Sequence, residues 1–184
     1  MKAYLILIRG INVGGKNKVP MALLRQCLEG LGFTDVSTYI ASGNVILKSN
    51  NDAKTVKSRI EAALPKNFTL DSKLIKVLVL DYKQLRSVID NKPAGFGENP
   101  DKYYSDAIFL IDINVADALP AFDPREGVDM IWPGEGVVYS QRLGELRTKS
   151  RLSKIVASPL YKSMTIRSWN TTVTLLKLLE ATKK

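Results

Sequence analysis

The chain has no histidine and one cysteine among its 184 residues. Without histidine, the commonest general base and metal ligand is missing. That excludes Ser-His-Asp and Cys-His nucleophilic catalysis and histidine-based zinc sites. One cysteine cannot close an internal disulfide, which fits a reducing compartment. Cys27 lies in MALLRQCLEGLG among leucines at helical spacing, where a free thiol packs as a small hydrophobe. Long apolar runs are missing too. The longest near the start, AYLILI, spans six residues, too short for a signal-peptide core or a membrane span, and no small-residue cleavage site follows it. The expectation is a cytoplasmic protein without membrane attachment.

Acidic residues are scarce at both ends of the chain. Residues 1–80 carry 12 basic and 5 acidic groups, residues 81–135 carry 5 and 11, and residues 136–184 carry 10 and 2. The net +9 is therefore concentrated in two outer segments, which points to a localised positive surface. Solvated basic faces with no partner are the plain alternative.

What is present reads as short strands and helices in alternation. KAYLILIRG is a strand. Pro20 suits a first helical turn, and Met21, Leu24, Cys27, Leu28 and Leu31 repeat at three and four residues up to Gly32. VSTYI and NVILKS flank ASGN as a hairpin. A second helix carries Val56, Ile60, Ala63 and Leu64 on one face and closes at Pro65, and LIKVLVL is the next strand. The order is β-α-β-β-α-β, the split βαβ or ferredoxin-like unit.

The order then recurs. Asp81 with Gln84 is a capping box for a helix through Ile89, followed by the loop NKPAGFGENPDKYYS and the strand DAIFLIDI. Asn114 caps the short helix VADAL. VDMIW and GVVYSQR flank PGEG as a second hairpin, SRLSKIVA reads as helix, SMTIRS as strand and NTTVTLLKLLEA as a closing helix. The expected fold class is α+β, with two tandem ferredoxin-like (split β-α-β) halves packed against each other. The first half is residues 1–80, a helix and linker occupy 81–105, and the second half with the C-terminal helix is 106–184. The repeat is one of element order alone. AYLILI, KVLVL and AIFLI are apolar at consecutive positions, so these strands are expected to be buried on both faces.

One stretch, GINVGGKN, stands one residue from the phosphate-binding pattern G-x-x-x-x-G-K-[ST]. Gly10, Gly15 and Lys16 meet it, whereas Asn17 lacks the hydroxyl that would hold magnesium, and Pro20 starts the helix too late. A gentler version survives. In a split βαβ unit, the loop leaving the first strand and the first hairpin turn share one end of the sheet. Gly14, Gly15 and Gly43 would admit an anion to the backbone, Asn12, Asn17 and Asn44 would orient it, and Arg9, Lys16 and Lys18 would supply charge, with Ser42 in the turn. A loop that needs glycines only for its own backbone angles is the competing reading.

The string LIRGINVGGKNKVPMALLRQCLEGLGFTDVSTYIASGNVIL resembles the opening of the domain-of-unknown-function family 1697, bacterial proteins of this length. TIRSWNTTVTLL resembles that family's terminal T-x-R-N-W-N-T motif, with Ser168 where asparagine is usual. The resemblance implies no activity. It implies that Gly10–Lys18, Ser42–Asn44 and Arg167–Thr171 belong to one recurring design. In the last segment, Arg167 is a candidate anion clamp that would complete the first rim. Trp169 either stacks on a base or, preferably, fills the core. Asn170 or Thr171 is the expected helix cap.

QRLGELRTKSRLSK adds Arg142, Arg147, Lys149, Arg151 and Lys154. Two binding functions follow: an anionic small molecule, phosphorylated or a nucleotide, at the glycine-rich loop, or nucleic acid contacted through these basic residues. RNA-recognition domains of similar topology need exposed aromatics in their central strands, and NVILKS and LIKVLVL have none. An enzyme and a purely structural role complete the field. Lys16, Tyr39 or an aspartate could serve as acid or base but form no recognisable pair, so no catalytic residue is assigned. Nothing calls for a cofactor or a metal.

Overall fold

The computed structural model describes residues 1–71 and 75–182. The chain divides into two compact units, Met1–Leu85 with Leu175–Lys184, and Arg86–Thr174. In the first, β1 (Lys2–Arg9), α1 (Met21–Gly30), β2 (Thr34–Tyr39), β3 (Asn44–Ser49), α2 (Ala53–Asn67) and β4 (Lys76–Asp81) follow one another. Their sheet is antiparallel in the order β2-β3-β1-β4. Leu74, the first residue of the expected LIKVLVL strand, lies outside the described residues.

Consecutive apolar residues in β1 do what they predict. Tyr4 to Ile8 are all buried, with Leu5, Ile6 and Leu7 at 0 % exposure. Side chains alternate across a strand, so Tyr4, Ile6 and Ile8 pack with Leu24 and Leu28 of α1 and Val56, Ile60 and Leu64 of α2, while Leu5 and Leu7 are buried on the other face. Pro65 does not close α2, which continues to Asn67. A proline this near the end removes one helical bond only. Asn67 Nδ2 donates to the Ala63 carbonyl at 2.8 Å and Phe68 N–H to Leu64 at 3.0 Å, finishing the turn.

The helix α3 (Tyr82–Asp90) opens on the expected capping box. The Gln84 N–H donates to Asp81 Oδ1, and the Asp81 N–H to Gln84 Oε1, both at 2.9 Å. The second unit then holds β5 (Tyr103–Leu110), α4 (Val115–Ala118), β6 (Asp129–Gly134), β7 (Val137–Leu143) and β8 (Met164–Ser168), and α5 (Trp169–Thr182) ends the chain. Its antiparallel sheet has the order β6-β7-β5-β8. SRLSKIVA is not an α-helix but a 3-10 segment, Leu152–Ala157, followed by another at Pro159–Ser163. Leu152 and Ile155 stand three apart, the 3-10 period, and Pro159 bars an α-helical continuation through Ser158. Both residues pack on Ile108 and Leu110 of β5 and Met164 of β8.

The repeat reaches individual residues, beyond element order. Ile8 N–H donates to the Gly43 carbonyl at 2.8 Å in one unit, and Leu110 N–H to Gly136 at 3.0 Å in the other. Two positions further on, Gly10 and Asp112 both have positive φ, 85° and 58°, and Ile-Asn-Val follows each (11–13 and 113–115). Three residues are too few to be noticed until the strand registers align them.

An aromatic cluster in the second unit is announced by neither apolar period nor capping residues. Phe96, at 0 % exposure, sits in the GFG of the long loop. Its ring meets Trp132, Tyr139 and Trp169 edge-on, with centroids 6.0, 5.3 and 5.0 Å away. A side chain at Gly97 would overlap the Trp169 indole. The one local signal is an aromatic flanked by glycines inside a polar loop.

Candidate functional site

Gly10–Lys18 folds as a miniature hairpin. The Lys16 N–H donates to the Val13 carbonyl and the Asn12 N–H to the Asn17 carbonyl, each at 3.0 Å. Gly14 and Gly15 form the turn between them, both at positive φ, 58° and 75°, as a two-residue type I′ turn demands. Helix α1 begins only at Met21, so Lys16 does not stand at a helix start.

The loop is tied to the β2–β3 turn at Ala41, one residue before the Ser42–Asn44 segment singled out in the sequence. Asn12 Nδ2 donates to the Val19 and Ala41 carbonyls, both at 2.9 Å, and its Oδ1 accepts from the Val19 N–H at 2.7 Å. Asn17 Nδ2 donates to the Gly10 carbonyl at 2.8 Å, and its Oδ1 accepts from the Asp71 N–H at 2.9 Å. Asn44 is fully buried, with Nδ2 donating to the Tyr39 carbonyl and Ser42 Oγ. The three amides therefore hold the backbone, because an irregular loop leaves carbonyls and N–H groups outside any ladder. Bracing the loop is the role these bonds give them. Gly14, Gly15 and Lys16 stand at the exposed tip, Lys18 is exposed beyond the Asn12–Asn17 pair, and Arg9 ends β1 half-buried.

Arg167 is no exposed clamp. It lies in β8, 7 % exposed, and its Nη1 donates to Thr165 Oγ1 at 2.9 Å and the Ile166 carbonyl at 2.8 Å. Burial lowers its pKa to about 10. Trp169 is in the core, as preferred. Asn170 is exposed and does not cap α5; Ser168 does, its Oγ accepting the Thr171 N–H at 3.3 Å. Since α5 starts at Trp169, the residue before it occupies the capping position. Ser168 thus supplies a cap with a shorter side chain than the asparagine usual there.

A two-part cleft in the second unit, around Tyr104, brings together Trp169 and Asn170 of one candidate set with Arg142 and Arg147 of the other, a grouping the sequence did not suggest. One lobe, of about 210 Å³, is bordered by Tyr103, Tyr104, Asp106, Ser168, Trp169 and Asn170, among others. A second, of about 280 Å³, is bordered by Tyr104, Arg142, Arg147 and Thr148. Tyr104 belongs to both and is 48 % exposed. The cleft exists because β5 changes character along its length. Ala107–Leu110 is continuously apolar and buried, whereas Tyr103–Asp106 is aromatic and polar. The expected burial on both faces holds for the AIFLI run and does not extend back to Tyr103–Asp106. Arg142, opposite Tyr104 in the β7 register, places its guanidinium 5.8 Å from that ring's centroid and 3.6 Å from Asp106 Oδ2. Burial raises the Asp106 carboxyl above its ordinary range, with Arg142 pulling it partly back. The break from apolar to polar within one strand is the sequence signal for this change.

The remaining basic residues are not equivalent. Arg151 and Lys154 both lie 3.4 Å from Asp123, so one acid answers two of the expected phosphate contacts. Arg147 and Lys149 are exposed. Behind them, buried Asp129 accepts the Arg125 and Arg151 N–H groups at 2.9 and 2.8 Å. Burial alone would raise its pKa, but these bonds and the Ser150 hydroxyl outweigh that and lower it. Asp129 ties the loop after β7 to the one before β6.

A family model described as protein of unknown function (DUF1697) matches residues 1–139. The solved structure of conserved bacterial protein SP0830 from Streptococcus pneumoniae is similar throughout, at 28 % identity and a TM-score of 0.78, over 97 % of this chain and 98 % of that one. No curated protein matches the chain. Among the described residues, no helix is long and apolar enough to cross a membrane.

Proposed function

The chain belongs to the DUF1697 family of proteins of unknown function, and we propose that it binds a phosphorylated small molecule or nucleotide in the cleft of the second unit. The observation that carries this reading is the two-lobed shape. An aromatic and polar lobe and a lobe with two arginines meet at one exposed tyrosine. Each lobe is smaller than the ~300 Å³ at which small-molecule sites begin, so the ligand would reach across Tyr104 to use both. Arginine suits a phosphate because its planar fork can donate two parallel hydrogen bonds. Both units are inferred to be ferredoxin-like, from the shared strand order second-third-first-fourth within β-α-β-β-α-β or its 3-10 variant.

The glycine-rich hairpin is a second reading, supported by its exposed tip. A Cβ at Gly14 or Gly15 would meet nothing within 4 Å, so an anion can reach that backbone beside Lys16. Nucleic acid is a third, supported by the exposed Arg147 and Lys149.

Thermal shift with pyrophosphate, ribose 5-phosphate and the four common ribonucleoside monophosphates tests all three, since a ligand of the folded state raises Tm. Arg147→Ala should cut the shift while leaving the unliganded protein within about 0.5 kcal/mol of wild type, as for a surface change. A shift lost in Lys16→Ala and kept in Arg147→Ala would move the site to the hairpin. Oligonucleotide binding that falls steeply with salt and weakens in Arg147→Ala and Lys149→Ala would favour nucleic acid. No response to any phosphorylated probe would end the small-molecule readings.

A further inference from the structure

We propose that the aromatic lobe selects a nucleobase by the amino group that adenine and cytosine carry where guanine and uracil carry a carbonyl, so that the ligand is an adenine or cytosine mononucleotide. This rests on the phosphorylated-ligand reading above and goes further, by assigning the non-phosphate end.

The first ground is an interrupted ladder. β5 pairs with β7 from Tyr103 to Phe109, but with β8 only from Asp106 to Leu110. On the β8 side, Tyr103–Ser105 therefore form a short sheet edge where the cleft lies. Such an edge displays backbone N–H and C=O groups to whatever lies beside it. A planar base edge, with donors and acceptors in one plane, is a natural complement.

The second ground is Asp106, at the last paired position, opposite Ser168. Its side chain is 23 % exposed, so it borders the lobe without being lost to the core. An ionised carboxylate only accepts hydrogen bonds. It matches the amino group that adenine and cytosine carry at one edge and opposes the carbonyl that guanine and uracil present there. A site built to receive that amino group rejects the analogue with a carbonyl in its place more strongly than a purely apolar pocket rejects a change of size.

The third ground is stacking surface. Tyr104 and Asp106 stand two apart in β5 and so share one sheet face, with the Arg142 guanidinium 5.8 Å from the Tyr104 ring. Base–aromatic stacking is tolerant of sequence, so the Tyr104 ring supplies affinity and Asp106 the choice. Arg142 touches both lobes' chemistry, and Arg147 lies in the lobe beyond Tyr104, where the phosphate of a base held in the first lobe would emerge.

Titration calorimetry at low salt with AMP, CMP, GMP, UMP and ribose 5-phosphate tests the assignment on the unaltered protein. AMP and CMP should bind at least about tenfold more tightly than GMP, UMP or ribose 5-phosphate. Equal affinity across the five would overturn base selection and leave phosphate binding standing. Silence from all five would overturn both. Asp106→Asn should bring UMP to within about twofold of CMP, whereas Arg147→Ala should weaken all nucleotides by a similar factor. Tyr104→Leu should weaken nucleotides while sparing ribose 5-phosphate. A Tyr104→Leu protein that binds CMP as wild type does would overturn the stacking role.

Discussion

Asn12 joins three pieces of chain: its own loop, the approach to α1 at Val19 and the β2–β3 turn at Ala41. Three short bonds and a left-handed backbone, φ 55°, meet in one residue. Asn12→Ala should therefore cost about 2–3 kcal/mol, from lost hydrogen bonds of roughly 1 kcal/mol each, read from the chemical-denaturation midpoint. A cost no greater than that of exposed Lys16→Ala would show the bracing to be unimportant. Tyr139 gives a pH-dependent test. Its hydroxyl donates to the Val88 carbonyl at 2.7 Å, and burial raises its pKa from 10.0 to about 12. Between those values the folded protein keeps a proton that the unfolded chain has lost, so stability falls as pH rises through that window. Tyr139→Phe should lose about 1 kcal/mol near neutrality and show a shallower alkaline decline. For Asp106, whose folded pKa is raised, stability likewise falls as pH rises through the carboxylate range. Asp106→Asn removes that loss and should be at least as stable as wild type at neutral pH.

At the scale of elements, two turns that look alike in sequence make different demands. Gly14 and Gly15 need positive φ but have open space around them, so alanine at either should cost about 1–2 kcal/mol, the left-handed penalty alone. At Gly43, φ is 76° and a Cβ would lie 2.5 Å from the Ile8 carbonyl oxygen. Gly43→Ala should cost more than either, about 3 kcal/mol or above, because the oxygen it strikes is part of β1. Equal costs at the two turns, measured by urea denaturation, would contradict the close approach. The same distinction explains the near-match to a phosphate loop. Glycines recur in GINVGGKN because the hairpin reverses there, and the sequence pattern cannot separate that need from anion binding.

The molecule as a whole contains one division that does not follow chain order. The segment from Leu175 is compact with Met1–Leu85, and Leu175, Leu176 and Leu179 are buried. Ending the chain at Thr174 should therefore destabilise the first unit more than the second. In hydrogen exchange, amides of β1 should lose protection before those of β7. Equal protection in both strands would show that the last helix contributes nothing particular to the first unit.

Element order, the doubled pattern and the buried strands were legible in the sequence, because apolar periodicity and capping residues act over a few positions. The capping box at Asp81, the Asn114 cap and the run Tyr4–Ile8 are local facts of this kind. The absence of histidine narrowed the chemistry through composition alone. Three things were decided only by tertiary structure. The amides of Asn12, Asn17 and Asn44 are spent on backbone groups distant in sequence, so no local reading could tell brace from ligand contact. Arg167 is buried, and cap duty passes to Ser168, because helix α5 starts at Trp169. The cleft depends on where β8 stops along β5, a matter of register between strands far apart in sequence. Such register is fixed by long-range packing, and the linear pattern shows only the apolar-to-polar break within β5.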